Sequence, residues 1–205
     1  MTDQETFLLR RAQRGSGEAF EALIGSYENG IYRTCLRMMG ENQAALDACQ
    51  ETFIKLYRYV GTFKGDSAFS TWVYRVTSNV CLDELRKRSR KSAASLDEME
   101  ENGHFESAAA VRDIPEEDLL RSEQRRVLMS ALNHLNPEHK IAIVLRDIQG
   151  FSYDEIAEML DISLGTLKSR ISRARAQLRD QLSPHMELLG GYGVKRCRRD
   201  EHSEL

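Results

Sequence analysis

The sequence predicts an all-α protein: two small helical domains joined by a flexible acidic linker. Three observations carry that prediction. Apolar residues recur at helical i+3 and i+4 spacing along most of the chain. Only 3 prolines occur in 205 residues, among many Leu, Ala, Arg and Glu, all strong helix formers. Charge is also segregated: residues 1–91 carry 14 basic and 11 acidic groups, 92–118 carry 1 and 9, 119–182 carry 10 and 8, and 183–205 carry 4 of each. The net charge of -3 therefore conceals two mildly basic modules separated by an acidic connector.

Residues 4–14 read as a first helix, ended by Gly15-Ser16-Gly17. A second helix is expected to carry Phe20, Leu23, Ile24, Tyr27, Ile31, Leu36 and Met39 without interruption, until Gly40-Glu41-Asn42 breaks it. A third runs from about Ala44 to Val60. Leu46, Cys49, Phe53, Leu56 and Tyr57 are expected to face inward, with Asp47, Gln50, Glu51, Lys55 and Arg58 on the other side. Gly61-Thr62 leads into the stretch Phe63–Ser89, a short polar loop from Lys64 to Ala68 that feeds a helix. Phe69, Val73, Val76 and Val80 form its apolar stripe. Arg75, Asn79 and Arg86, at i, i+4 and i+11, share another face, and the helix ends in a basic run from Arg86 to Lys91. A small polar loop with flanking aromatics and a basic edge can stack and hydrogen-bond an unpaired base while holding its phosphates. The plainer alternative is an amphipathic helix with a solvated face.

From Ser92 to Asp118 the periodicity fails and Ser, Ala, Asp and Glu dominate, as in a mobile acidic tether. Residues 119–135 resume a helix with Leu120, Val127, Leu128, Ala131, Leu132 and Leu135 on one side. Asn136-Pro137 caps the next helix, which extends to about Ile148. Ser152 to Glu155 reads as a capping box, with Phe151 and Ile156 as its hydrophobic staple. Asp161-Ile162-Ser163 then restarts a longer helix with Ser163 as its cap, the helix-turn-helix arrangement. In that longer helix Leu167, Ile171, Ala174, Leu178 and Leu182 form the buried stripe. Gly165, Ser169, Ser172 and Ala176 lie opposite, flanked by Lys168, Arg173 and Arg179. Small side chains let a helix seat deeply in a major groove, and flanking cations meet phosphates or guanine edges. Between Leu164 and Leu182 there are five basic residues and one acidic residue, a bias that favours DNA over a merely solvated face.

Several classes are excluded. No Ser/His/Asp constellation, phosphate-cradling loop or metal-ligand cluster is present, so an enzyme is not expected. His185, Cys197 and His202 match no common metal spacing, and neither metal nor cofactor is expected. Cys35, Cys49 and Cys81 lie within apolar helical patterns and read as buried, reduced thiols. No basic-then-apolar signal segment follows Met1 and no apolar run is long enough for a membrane span, so a cytoplasmic, soluble protein is expected. Lys195 to Arg199, in a tail read as flexible, are expected to add non-specific phosphate contact.

Three motifs in this order and spacing resemble the extracytoplasmic-function sigma factors, small two-domain promoter-specificity subunits of bacterial RNA polymerase. They are Gln50 to Ile54 (QETFI), Phe63 to Arg75 (FKGDSAFSTWVYR) with Asn79, and Phe151 to Ala157 (FSYDEIA) with Gly165 to Arg170 (GTLKSR). The resemblance spans about Phe7 to Leu182. It implies a sigma region 2 helical bundle over 1–91, the linker over 92–118, and a sigma region 4 helix-turn-helix over 119–182, followed by the tail. It also implies that Asp47, Gln50 and Glu51 face core RNA polymerase. Lys64, Asp66, Ser67, Ala68, Phe69 and Asn79 would form the pocket for a flipped base of the minus-10 element, with Arg75 and Arg86 contributing from the same helix. Lys168, Ser169, Ser172 and Arg173 would read the minus-35 element, with Arg170 at backbone phosphate. Trp72 and Tyr74 either pack the core or touch DNA. The implied partners are core RNA polymerase, promoter DNA and an anti-sigma factor. One departure stands out. Where the family has an Asp-Ala-Glu-Asp run, this chain has Ala44-Ala45-Leu46-Asp47, which removes two acidic contacts and leaves Leu46 for packing. A stand-alone helix-turn-helix regulator is the alternative; it leaves the 64–69 loop and the third helix's polar face without a role.

Overall fold

Short polar side chains at the helix starts and glycines at the breaks set the element boundaries. Thr2 forms a capping box with Glu5 and opens α1 (Asp3–Gln13); Ser16 caps α2 (Gly17–Gly25) through the Ala19 N–H. A computed structural model describes residues 2–94, 116–186 and 188, with side chains for all of these except 91–94 and 116–121. The 92–118 linker falls largely outside the described residues, as do Cys197, His202 and the basic tail run. The described residues are helical and include no strand.

The single long second helix expected from the sequence is in fact two, α2 and α3 (Glu28–Met39). Gly25 ends α2, the Tyr27 N–H bonds Ile24 O at 2.8 Å in a tighter turn, and the Tyr27 ring swings onto Phe69. α3 ends on Gly40 at φ 76°, a left-handed conformation that suits glycine. α4 (Asn42–Tyr59) passes through a 3-10 turn (Val60–Thr62) to the 63–68 loop, and α5 (Phe69–Ala94) follows. The first module packs α3 on α4, α4 on α5 and α1 on α2.

α4 buries only part of the face expected: Cys49 and Leu56 are buried and Phe53 partly so, but Leu46 and Tyr57 are not. Ala44, Ala45, Ala48, Cys49, Thr52 and Leu56 are buried, whereas Leu46 and Tyr57 are 46% and 52% exposed. Small residues let α4 approach α3 and α5 closely, and the Thr52 hydroxyl is satisfied within the helix by donating to Ala48 O at 2.7 Å. Leu46 is therefore a surface residue, not packing. Cys35, Cys49 and Cys81 are buried free thiols gathered where α3, α4 and α5 meet.

In the second module α6 (Glu116–Asn133) begins slightly before the expected start. Asn136 caps α7 (Pro137–Ile143), which continues through a π-helical turn (Val144–Ile148). α8 (Tyr153–Leu160) starts with the capping box of Ser152 and Glu155 and ends on Asp161 in a left-handed conformation, and α9 (Leu164–Leu182) starts at the Ser163 cap. α9 packs on α6, α7 and α8 through Leu167, Ile171 and Ala174.

The modules are not separate in the described chain. α8 lies along α5, and the π turn meets α3. The Tyr74 ring meets Phe151 edge-on at 4.8 Å, Gln149 Nε2 donates to Gly30 O and Thr34 Oγ1, and Lys140 Nζ donates to Met38 O at 2.8 Å.

Candidate nucleic-acid interface

The 64–68 loop rests on an aromatic floor. Phe63 and Phe69 are buried and meet edge-on at 5.3 Å, and Trp72 stacks on Phe69 at 5.5 Å with a 29° interplanar angle. Gln13 Nε2 donates to Val60 O and to Phe63 O at 2.9 Å, fastening the start of the loop to α1. On this floor Lys64, Asp66 and Ala68 are exposed and Ser67 is half-buried. Phe69 is not available to a base. It is 1% exposed, packed among Phe63, Trp72 and Tyr27, and belongs to the floor, not to the surface. Trp72 packs the same cluster, and Tyr74 is buried between the modules.

One helical turn and a little further on, α5 presents Asn79 to solvent with Arg86 beyond it. Arg86 pairs with Asp83 at 3.3 Å, and Lys87 and Arg88 both pair with Glu84. Exposed i,i+3 and i,i+4 pairs are worth only ~0.3–0.5 kcal/mol, so these cations can be transferred to phosphates at little cost. Arg75 is held differently. One guanidinium nitrogen reaches Glu158 Oε1 at 2.9 Å and Glu158 O at 3.2 Å across the module boundary, while its Nε is shielded from solvent with no acceptor. Arg75 thus sits against α8 and apart from the open loop residues.

α9 separates its two faces cleanly. Lys168, Ser169, Ser172 and Arg173 are all exposed, opposite buried Leu167, Ile171 and Ala174. Ser169 Oγ donates to Thr166 O at 2.8 Å, which fixes its rotamer and leaves its lone pairs outward. Arg170 is not on this face. It is half-buried and ion-paired to Glu138 of α7, because its position points back across the helix-turn-helix. Arg175 pairs with Asp147 and ties α9 to the π turn.

On α4 the expected polar contacts Asp47, Gln50 and Glu51 are exposed, with Gln43 donating to Asp47 and Lys55 pairing with Glu51 at 3.5 Å. Beside them lies an apolar strip that sequence reasoning missed. Leu46, Ile54 and Tyr57 are each about half exposed, and Phe53, Ile54, Tyr57 and Arg58 line a shallow cavity. The available signal was the small-residue stripe of Ala45, Ala48, Cys49 and Thr52, which takes the inward face and turns the large side chains out. An acidic rim beside exposed aliphatic and aromatic groups suits a basic amphipathic partner helix. Among the described residues no cluster of His, Cys, Asp and Glu could hold a metal ion, and no helix is long and apolar enough to cross a membrane.

Comparison with known proteins matches residues 23–91 to Sigma-70 region 2 and residues 125–178 to Sigma-70, region 4. The chain is 35% identical to the ECF RNA polymerase sigma-E factor of Haemophilus influenzae over 188 residues, covering 91% of this chain and 98% of the relative. It is 37% identical to the RNA polymerase sigma-H factor of Pseudomonas aeruginosa over 184 residues, covering 89% and 95%. Among solved structures it is similar to CnrH in complex with the cytosolic domain of CnrY, with TM-score 0.63, 26% identity and coverage of 89% of this chain and 99% of that one. It is also similar to the sigma factor RpoE in complex with the anti-sigma factor NepR from Bartonella quintana, with TM-score 0.62, 25% identity and coverage of 80% and 96%.

Proposed function

This chain belongs to the extracytoplasmic-function RNA polymerase sigma factors, and from that membership we propose how its residues divide the work of initiation. It is a transcription initiation factor that binds core RNA polymerase and promoter DNA and performs no chemistry of its own. Residues 1–91 act as the polymerase-docking and minus-10 module, 92–118 as the acidic tether and 119–182 as the minus-35 module. The protein works in the cytoplasm, and an anti-sigma factor holds it in reserve, by analogy with the solved complexes. Asp47, Gln50 and Glu51, together with Leu46, Ile54 and Tyr57, take the polymerase. Lys64, Asp66, Ser67, Ala68 and Asn79 receive the displaced base, and Arg75 and Arg86 hold its phosphates. Lys168, Ser169, Ser172 and Arg173 enter the major groove of the minus-35 element. Strand opening draws on binding energy, because base capture exists only in the open form and, with phosphate contact, favours it.

The observation that supports this reading is two exposed polar and basic surfaces, the 64–68 loop with Asn79 and the outer face of α9, one on each module, beside a third, acidic-apolar surface on α4. A stand-alone regulator would need only the α9 face. Footprinting on genomic DNA with core polymerase tests it directly: protection at two separated elements is expected, and protection of a single groove site without polymerase would favour the regulator.

Two substitutions locate the contacts. Arg173→Ala is expected to cost ~1–3 kcal/mol of discrimination at one minus-35 base pair. An equal loss on all sequences in a competition binding assay would assign Arg173 to phosphate instead. Asn79→Ala is expected to slow promoter opening roughly twofold to tenfold, the worth of one net hydrogen bond. It should leave closed-complex binding nearly unchanged, and a pre-melted minus-10 bubble should restore initiation. Failure of the bubble to rescue would remove Asn79 from base capture.

A further inference from the structure

Three arginines meet where α6 packs on α3. Arg33 and Arg37 lie one turn apart on α3, and Arg37 Nη1 donates to Arg33 O at 3.2 Å, which folds the Arg37 guanidinium back toward Arg33. Arg125 comes from α6. The far ends of the two helices fix the register between them. A Cβ added at Gly40 would come within 2.6 Å of the Asn133 amide, and Lys140 Nζ bridges Met38 O and Asn133 Oδ1 at 2.8 and 2.7 Å. At ~1.5 Å rise per residue, Arg33 lies about 10.5 Å back from Gly40 and Arg125 about 12 Å back from Asn133. Arg33 and Arg125 are therefore level, with Arg37 one turn nearer the helix ends. Burial, and then the Arg33 and Arg125 guanidiniums, pull the Arg37 pKa below its ordinary value, so the three charges sense one another.

No carboxylate compensates them. Among the described residues none of the three is joined to Asp or Glu in an ion pair, whereas Arg126, the next residue of α6, pairs with Glu123, and Arg170 and Arg175 pair with Glu138 and Asp147. Like charges one helical turn apart disfavour the helix that carries them. Arg37 is also half-buried, so its charge is partly stripped of water, while Arg33 and Arg125 are exposed beside it. A half-buried cation flanked by two exposed ones makes a niche for an anion, and the planar guanidinium fork takes phosphate oxygens two at a time. A single phosphoryl group carries only ~1.5–2 negative charges near pH 7, too few for three cations. Adjoining phosphoryl groups concentrate three or more charges in one place, where the carboxylates of a peptide are spread along its backbone.

We propose that Arg33, Arg37 and Arg125 form a binding site for a small polyphosphate, the chemistry shared by a nucleoside triphosphate and inorganic polyphosphate. α3 supplies two of the cations and α6 the third, so the ligand bridges the two helices. None of the three residues belongs to the promoter or polymerase contacts assigned above, and the site stands or falls independently of the sigma-factor reading.

The test is isothermal titration calorimetry of the full chain with sodium tripolyphosphate, at low salt and with EDTA present. One saturable site is expected, with orthophosphate weaker by about tenfold or more, since it engages fewer charge-assisted hydrogen bonds. Arg37→Gln is expected to weaken tripolyphosphate about tenfold or more, and Arg125→Gln, at an exposed cation, about threefold to tenfold. Arg37→Lys keeps the charge but loses the fork, and its affinity should fall between those of the parent and Arg37→Gln. Arg11→Gln removes the same charge from an exposed position of α1 and should leave the affinity unchanged. Circular dichroism checks that each variant is folded. ATP or GTP binding tighter than tripolyphosphate identifies a nucleotide as the source, and equal or weaker binding identifies inorganic polyphosphate; both support the site. Absence of saturable binding, equal weakening in Arg11→Gln (an adventitious ion only), or a glutamate-rich peptide binding as tightly would each overturn it. So would an equal loss of promoter binding by Arg37→Gln and Arg125→Gln on core polymerase, which would assign these arginines to the DNA backbone.

Discussion

Phe69→Ala is expected to destabilise the protein by ~3–5 kcal/mol, the cost of removing a large ring from a packed core. The ring is 1% exposed and touches Tyr27, Phe63 and Trp72 at centroid distances of 5.7, 5.3 and 5.5 Å. Edge-on and offset-stacked aromatic contacts each add to plain burial, so deletion removes several favourable pairs and leaves a void. A single domain is commonly stable by only ~5–15 kcal/mol, and this one change takes a large share. Urea unfolding checks the value. Phe69→Leu, which keeps most of the volume, should cost under about 2 kcal/mol and retain promoter opening. If Phe69 instead stacked on a captured base, alanine would leave the urea midpoint almost unchanged and impair opening selectively. The loop would then be defective in the folded protein. The packed ring implies the reverse: opening is lost because the floor beneath Lys64, Asp66 and Ala68 is lost.

Phe69 also shows where sequence reasoning reaches its limit. Its place in the Phe69, Val73, Val76, Val80 stripe already put it on the apolar face of α5, while its place in the family motif put it at the base pocket. Periodicity was the better guide: although Phe69 begins α5, its ring is 1% exposed and packed among Tyr27, Phe63 and Trp72. The α9 interface was legible throughout: the Ser163 cap fixes the start, every buried position follows helical spacing, and the small and basic residues fall opposite. Arg170 shows how far that helps, since helical spacing turned it toward the core side but could not name Glu138 as its partner. α4 was misread because hydrophobicity was taken as burial. Leu46 and Tyr57 are large and apolar yet exposed, while Ala45, Ala48 and Thr52 are buried. Close helix packing selects small side chains, and a partner surface exposes large ones. The break at Ser26-Tyr27 lacks a proline; its local sign is Gly25-Ser26, and the Tyr27 ring packs on Phe69 there. The contact between the two modules was the least legible feature. Tyr74, Gln149 and Lys140 find partners on the other side of the linker, and no spacing rule links residues so distant.

Lys140 supplies the strongest test of the contact between the modules, because a buried amine reports on its surroundings through pH. It is 4% exposed, and burial pulls its pKa from the ordinary 10.5 down to about 8. Once the modules part or unfold, the amine is rehydrated and its pKa returns toward the ordinary value. Below pH 8 both states carry the proton and the buried charge weakens the closed form by a constant amount. Between about pH 8 and 10.5 the open chain binds a proton that the closed chain does not, so the closed form gains stability as pH rises. At ~1.36 kcal/mol per pKa unit the gain is on the order of 3 kcal/mol. The Tyr27 phenol, pushed up to about 12 chiefly by burial, runs the other way, as do the thiols of Cys35 and Cys49, which are also shifted upward. They lose stability for the folded chain as pH rises past their ordinary values, so the parent's own melting curve mixes opposing slopes. Subtraction isolates the lysine. The stability of the parent minus that of Lys140→Met is expected to be flat below pH 8 and to climb toward pH 10.5. The acceptors Met38 O and Asn133 Oδ1, left without a donor in the variant, contribute only a pH-independent offset. A difference that stays flat to pH 10.5 would place Lys140 in water and its contact with Met38 O open in solution.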